Sequence, residues 1–304
     1  MVNRNSTQTS FRSGFVSLIG PPNTGKSTLL NRIIGQKISI ISPKPQTTRN
    51  RILGIWHGET AQIIFFDTPG IHKASKRLNQ KMVQAALKTF TDSDLITIMV
   101  DTSPPSMEDG DERLILRHVR AVKVPVFLLI NKIDLIPKAR ILKLIDTYKD
   151  LFPFKEIIPI SALTGENCSD LMQTIISYLP SGPPYYPKEM VTDQTERFVA
   201  SELIREKLIL LTRQEIPYVV AVIIDEMSTD KESDLVNIMA TIMVEKASQK
   251  GIIIGNGGQK LKEIGQRARQ EIEHLLGKHV YMKLWVKVAR NWRDNEQRLK
   301  QIGY

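Results

Sequence analysis

Cysteine is almost absent from the 304 residues: Cys168 stands alone. A single thiol excludes an intramolecular disulfide and fits a reducing compartment. It has no ligand-like spacing to any histidine, so it reads as a buried bystander. Long apolar runs are also missing; none approaches the length that spans a bilayer. The first thirteen residues hold no acid and no apolar stretch, only Arg4 and Arg12 among polar residues. That excludes a secretory signal. The acid-free, Ser/Thr-rich composition faintly resembles a transit peptide, but a flexible N-terminus over residues 1–13 is the plainer reading. No internal repeat or low-complexity tract interrupts the chain.

Positive charge is abundant and unevenly placed. The formal net charge is +10, with 41% hydrophobic and 24% charged residues, an ordinary globular balance for about two domains. Residues 182–245 carry 6 Lys+Arg against 12 Asp+Glu, a net of −6, whereas residues 246–304 carry 13 against 5, a net of +8. A basic segment behind an acidic one suggests a polyanion-binding face; a solvated lysine-rich surface is the alternative.

Residues 20–27 read Gly-Pro-Pro-Asn-Thr-Gly-Lys-Ser, a complete G-x-x-x-x-G-K-[ST] pattern. It lies between an apolar run, Phe15–Ile19, and a helical stretch, Ser27–Ile34. That context separates a phosphate-binding loop from a chance glycine turn. Gly20 and Gly25 let the backbone through Pro21, Pro22, Asn23 and Thr24 curl so that its N–H groups, which the two prolines lack, point toward phosphate, and the helix opening at Ser27 and Thr28 adds partial positive charge. Lys26 is expected on the β- and γ-phosphates and Ser27 on Mg²⁺.

Further apolar runs at Ile52–Trp56, Gln62–Phe66, Leu95–Val100, Val126–Ile130 and Ile157–Ile160 alternate with helical stretches such as Asp111–Ala121 and Ala139–Leu151. This predicts a doubly wound α/β sheet over residues 14–180, with nucleotide at the carboxyl ends of its strands. Only Gly58-Glu59 breaks Leu53–Phe66, so a hairpin with one antiparallel edge strand is expected. Asp67-Thr68-Pro69-Gly70 closes one strand, with Asp67 holding Mg²⁺ through a water and the Gly70 amide sensing the γ-phosphate. Asn131-Lys132-Ile133-Asp134 closes another. There the Asp134 carboxylate can accept two hydrogen bonds from guanine, which argues for GTP over ATP. Ser161-Ala162-Leu163 follows the sixth strand, with the Ala162 N–H facing guanine O6. Within Gln46-Thr47-Thr48-Arg49 one threonine completes the Mg²⁺ shell; Thr48 is assigned to the metal and Thr47 to the nucleotide, with the exchange of the two left open. Lys26, Thr48 and Gly70 are the candidate catalytic groups.

This constellation resembles the translation-factor-related class of small GTPases. Members commonly place a glutamine after D-x-x-G to orient water; here that position is Ile71, which implies slow intrinsic hydrolysis or another water-positioning group. Asn23 matches the asparagine with which related enzymes hold K⁺ beside the phosphates, unless it merely shapes the loop.

A proline-rich stretch, Pro180–Pro187, reads as a stiff linker at 181–187. Residues 188–304 then give helix (Thr195–Thr212), strand (Tyr218–Asp225), strand (Asn237–Val244), a glycine loop, helix (Gln259–Leu276) and strand (His279–Ala289). The loop Gly255-Asn256-Gly257-Gly258 follows Ile252-Ile253-Ile254 and precedes a basic helix. A lone G-x-x-G is as readily a turn, but this order is that of an α+β type II K-homology (KH) fold, whose loop clamps single-stranded RNA. Ile254 and Ile264 would line the groove, with Lys250, Lys260, Lys262 and Arg267 supplying salt-dependent affinity. Trp285 is expected in the core and Trp292 in solvent, with His274 and His279 on the surface.

Together G-P-P-N-T-G-K-S, P-Q-T-T-R, D-T-P-G-I-H, N-K-I-D, G-I-I-I-G-N-G-G and the terminal L-W-V-K-V…W…L-K-Q-I-G-Y resemble the Era-like GTPase family from about Ser13 to Tyr304. The resemblance implies a GTPase switch that binds 16S ribosomal RNA near its 3′ end and assists assembly of the small ribosomal subunit. It also implies Mg²⁺ as cofactor with K⁺ as a second candidate, a cytoplasmic monomer, and peripheral inner-membrane association in some members. One departure is Gly257, where the family often has a basic residue; one phosphate contact should be weaker for it. A GTP-regulated module docking its basic domain on a membrane or protein is the competing reading.

Overall fold

The computed structural model describes residues 10–72, 76–105, 110–213 and 215–303. Its first part is a six-stranded sheet in the order β2-β3-β1-β4-β5-β6. The strands are β1 (Arg12–Ile19), β2 (Ile52–His57), β3 (Ala61–Asp67), β4 (Leu95–Val100), β5 (Val126–Ile130) and β6 (Glu156–Pro159). All neighbours pair in parallel except β2, which lies antiparallel on β3 as the outer strand. Helices α1 (Lys26–Ile34) and α5 (Cys168–Tyr178) cover one face, while α2 (Arg77–Lys88), α3 (Asp111–Val119) and α4 (Lys138–Lys149) cover the other. Burial on both faces explains why β4 reads as an uninterrupted apolar run, Leu-Ile-Thr-Ile-Met-Val, with every residue buried.

Two expectations change at the edges of this unit. The first strand begins at Arg12, inside the stretch expected to be flexible: the Arg12 amide donates to Thr60 O and its guanidinium to Leu179 O. Residues 1–9 of that expectation lie outside the described residues. The proline-rich segment is strapped to the sheet. Ser13 N–H donates to Pro180 O, Gln62 Oε1 accepts from the amides of Tyr185 and Tyr186, and Ile55 N–H donates to Val191 O. The prolines remove donors, so the strap satisfies the Tyr185 and Tyr186 amides on the Gln62 side chain and offers the Val191 carbonyl to the free edge of β2.

The second part packs α6 (Glu196–Leu211), α8 (Ala247–Ile254) and α9 (Gln259–Leu276) on a sheet β7-β8-β9, from Ala221–Thr229, Val236–Val244 and Val280–Val288. β7 and β8 are antiparallel; β8 and β9 are parallel. The strand expected from Tyr218 starts only at Ala221, because Ile216–Val219 forms a short helix, α7, with Pro217 in its first turn. Ile252-Ile253-Ile254, read as an apolar run, is the last turn of α8. Ile264 is fully buried in the core and does not line a groove.

The two tryptophans exchange places relative to expectation. Trp285 is 48% exposed, whereas Trp292 is fully buried and donates its indole N–H to Val219 O at 2.9 Å. Trp292 sits in a cluster with Leu78 and Met82 of α2 and Leu299 of the final helix, α10 (Glu296–Gln301). Cys168 is buried, and His274 and His279 are exposed, as expected. No helix among the described residues is long and apolar enough to cross a membrane.

Candidate functional site

At the carboxyl ends of β1, β3, β5 and β6 the loops enclose a cleft of about 460 Å³, a size suited to a nucleotide. Its wall contains Pro22, Asn23, Gly25, Lys26, Ser27 and Thr28 on one side and Asn131, Lys132, Asp134, Ala162 and Leu163 on another. Thr47, Thr48 and Gly70 complete it. Gly25 holds φ +102°, and a Cβ there would sit 2.2 Å from Asn131 Nδ2. Glycine therefore allows the loop its left-handed turn and lets Asn131 reach Thr24 O at 2.7 Å. The brace continues as Ala162 N–H donates to Asn131 Oδ1 at 2.8 Å. That corrects one expectation: the Ala162 amide is engaged by Asn131 and is not a free donor for guanine O6. Asp134 Oδ1 accepts from Ser161 Oγ at 2.6 Å, which fixes the carboxylate at the cleft wall.

The remaining expected residues lie one layer back. Gly20 packs so closely on β4 that a Cβ would meet Met99 O, and Pro21 O accepts from Lys26 Nζ. Thr68 is buried with its hydroxyl on Leu18 O, and Pro69 and Ile133 are buried. Ile71, expected beside the nucleotide, is fully buried in the apolar core on the α2–α4 face, and its amide donates to Gly20 O. The apolar side chain prefers that core to the wet cleft, so the position after D-x-x-G presents no polar group to it.

Three oxygen-bearing side chains converge beside the loop. Ser27 Oγ donates to Asp67 Oδ2 at 2.6 Å and lies 2.9 Å from Thr48 Oγ1. Ser39 Oγ also donates to Asp67 Oδ2. The other oxygen, Asp67 Oδ1, is buried with no hydrogen-bond partner. An orphaned buried carboxylate oxygen is costly unless a cation or an ordered water meets it. Burial pushes the Asp67 carboxyl up, against the Ser27 hydrogen bond and the charge of Lys26. The set of one carboxylate and two hydroxyls fits a hard divalent cation such as Mg²⁺, which keeps several waters. Thr47 is turned away, its hydroxyl on Lys44 O, so Thr48 is the threonine near Ser27 and Asp67. Lys26 is buried, and desolvation lowers its pKa to about 8 despite Asp67. An anionic phosphate beside it would restore the charged form.

Sequence reasoning missed several contributors. Arg32 donates to Ala162 O at 2.6 Å and to Leu163 O, stapling the loop after β6 onto α1. Gln46 Nε2 lies 3.0 Å from His72 Nε2, whose Nδ1 is 2.8 Å from Gly70 O, linking the Gln46–Arg49 segment to the turn after β3. Arg49 is buried and donates to Val220 O, Pro217 O and Tyr218 O, the carbonyls closing α7. Arg205 of α6 donates to Thr47 O at 2.5 Å. The segment carrying Thr48 is thus gripped by the second sheet's helices. None of these contacts has a local motif; each joins distant parts of the chain.

A second candidate surface lies between α9 and β9. A groove of about 730 Å³ runs from Gly258 along Leu261, Lys262, Gly265 and Arg269 to Tyr281. Gly257 and Gly258 hold φ +56° and +78°, and a Cβ on either would meet nothing within 4 Å, so the loop backbone is open to a ligand. Asn256 and Lys262 are exposed, Lys250, Ile254 and Lys260 half-buried. Gly255 packs against Lys260, and Arg267 pairs with Glu263 at 2.7 Å on the helix surface. Arg269, Gln266 and Tyr281, not singled out from sequence, line the groove.

A model of the 50S ribosome-binding GTPase family matches residues 15–132, and a KH domain model matches residues 215–293. The crystal structure of Era with MgGDPNP and nucleotides 1506–1542 of 16S ribosomal RNA is 44% identical, with a TM-score of 0.93 over 97% of this chain and 99% of that one. A variant of Era from Aquifex aeolicus bound to GDP and AlF₄⁻ is 43% identical over the same shares, also with a TM-score of 0.93.

Proposed function

We propose, from the premise that this chain belongs to the Era family of RNA-binding GTPases, that it is a GTP-timed clamp on the 3′ region of 16S ribosomal RNA in small-subunit assembly. The observation that carries the reading is the grip of α6 and α7 on the segment that holds Thr48, with the Arg49 guanidinium also over the Trp292 ring. Ser27, Thr48 and Asp67 would hold Mg²⁺, which supplies charge neutralisation at the β- and γ-phosphates. Lys26 and the backbone N–H groups of Asn23 to Thr28 bind the phosphates, Pro21 and Pro22 having none to offer, Asp134 reads guanine, and Gly70 reports the γ-phosphate. Whatever moves Thr48 on hydrolysis pulls on Arg49 and hence on the RNA-binding part. With Ile71 in the core, water is positioned without a side chain from that residue, and slow intrinsic turnover is expected.

K⁺ at Asn23 belongs to this proposal. The Asn23 amide nitrogen donates to Pro43 O, so the atom available to a cation is Oδ1. Faster turnover in potassium than in sodium buffer is expected, and equal rates in both would remove Asn23 as a ligand.

RNA binding is tested at the open loop. Gly257→Asp with Gly258→Asp places negative charge where phosphates approach; the space is open, although the positive φ of both positions strains any L side chain, so an unchanged unfolding temperature accompanies the test. Binding of a single-stranded oligoribonucleotide should weaken by about tenfold or more and lose part of its salt dependence, with GTP turnover unchanged. Unchanged RNA affinity would sink the clamp and favour a protein or membrane partner.

A further inference from the structure

Along β9 the residues alternate between two uses. Val280, Met282, Leu284 and Val286 pack into the core, while Tyr281, Lys283, Trp285 and Lys287 project from the opposite face of the sheet. Trp285 is 48% and Tyr281 45% exposed, although both are large aromatics. Leaving such side chains half in water forgoes apolar burial that a bound partner would recover. Lys283 Nζ lies 5.6 Å from the Tyr281 ring centroid. Parallel pairing sets Met239 beside Lys283 and Thr241 beside Trp285. Past Trp285, between the sheet and α10, lies a cavity of about 250 Å³, lined by Ile223, Met243 and Ile302 and by Asp225, Thr241, Lys287 and Arg298. Tyr281 also lines the groove between α9 and β9, so groove and outer face meet at the free edge of β9.

We propose that this outer face is a second RNA-binding surface, continuous with the groove and resting on the clamp reading given above. RNA that leaves the groove passes over the edge of β9 at Tyr281. Its bases stack on Tyr281 and Trp285, its phosphates meet Lys283 and Lys287, and one base enters the cavity by Arg298. RNA is the occupant that fits the pattern. Aromatic rings spaced two strand positions apart offer π-faces to successive bases, and the lysines between them neutralise backbone charge. The surrounding segment, residues 246–304, carries a net +8 (13 Lys+Arg against 5 Asp+Glu). On the far strand, Asp225 accepts from Thr241 Oγ1, and Glu226 pairs in register with Met239. Glu226 bounds the basic strip on the far strand, and Asp225 lines the far wall of the cavity, opposite Lys287 and Arg298, where it disfavours a phosphate and leaves the space to an uncharged base.

Two probes separate this surface from the groove in the full-length protein loaded with a non-hydrolysable GTP analogue: single-stranded RNAs of about 6 nucleotides, enough for the groove, and about 20 nucleotides, enough to cross the edge. Trp285→Ala should weaken binding of the longer RNA by about tenfold and leave the shorter within about twofold, and Trp285→Phe should restore most of the loss. Lys283→Gln with Lys287→Gln should lower the salt slope of the longer RNA by about two. Tryptophan fluorescence should be quenched by the longer RNA and not by the shorter. Equal effects of Trp285→Ala on both RNAs, or none on either, would overturn the proposal. The groove reading fails separately, if Gly257→Asp with Gly258→Asp leaves the shorter RNA's affinity unchanged.

Discussion

The guanine specificity proposed above rests on one carboxylate, Asp134, held in place by one hydroxyl. Ser161 donates to its Oδ1 at 2.6 Å, and the carboxylate stands at the wall of the cleft. Guanine offers two N–H donors that a carboxylate can accept, and each such charged hydrogen bond contributes about 1.5–3 kcal/mol. Asp134→Asn should therefore lower GTP affinity by about tenfold to a hundredfold, while xanthosine triphosphate, which has an oxygen in place of the exocyclic amine, gains. Competition against a fluorescent nucleotide measures both. Retained GTP affinity would take Asp134 out of the base site. The same residue-scale logic applies to Asp67, whose unpartnered Oδ1 marks where a cation belongs.

Among the elements, β9 and the turn after it carry the largest lesson. The alternation of Val-Tyr-Met-Lys-Leu-Trp-Val-Lys-Val puts Trp285 in phase with Lys283 and Lys287, so its exposure was legible in the parity of the strand. Aromatic bulk alone argued for the core, and it misled. Trp292 had no such signal. It lies past the strand, and its pocket needs α2 and α7, far away in sequence, as well as the nearby α10. The guanidinium of Arg49 stands 5.8 Å from its ring. Trp292→Ala should cost about 3–5 kcal/mol, because it opens a cavity and leaves Val219 O without its donor. A thermal unfolding shift corresponding to less than about 1 kcal/mol would show the cluster to be peripheral. The helix α8 escaped sequence reading for a related reason: three consecutive isoleucines favour a strand locally, and packing against α9 and β9 overrides that preference.

At the scale of the whole molecule, charge joins the two sheets. Lys37 reaches Glu206 of α6 and Glu271 of α9, and Lys207 pairs with both carboxylates. Burial pushes the Glu271 carboxyl up, but hydrogen bonds from Lys207 and Lys37 outweigh it and hold the group below the ordinary glutamate range. A depressed carboxyl pKa contributes stability that is full above its unfolded value and is lost as pH falls through the folded one. Acidification below about pH 4 should therefore loosen the contact around Lys37. Hydrogen-exchange protection of the Ile41 amide, which donates to Glu206, reports it. Protection that stays flat from about pH 7 to about pH 3 would separate Glu271 from the docking.

What the sequence determined by itself was local in origin. The phosphate loop, the D-x-x-G and N-K-x-D turns and the G-x-x-G loop each need only a few adjacent residues at strand ends or helix starts, and they lie where the spacing put them. Strand periodicity likewise predicted the six-stranded sheet with its antiparallel edge. The tertiary structure decided everything that required two distant segments to meet. It set the Thr48 hydroxyl, not that of Thr47, beside Ser27, spent the Ala162 amide on Asn131, buried Ile71 and Trp292, strapped the proline segment to β2, and fastened Arg49 to α7. The physical reason is that hydrogen-bond satisfaction and burial are properties of neighbours in space, and one strand's pattern cannot name the partners that folding brings to it.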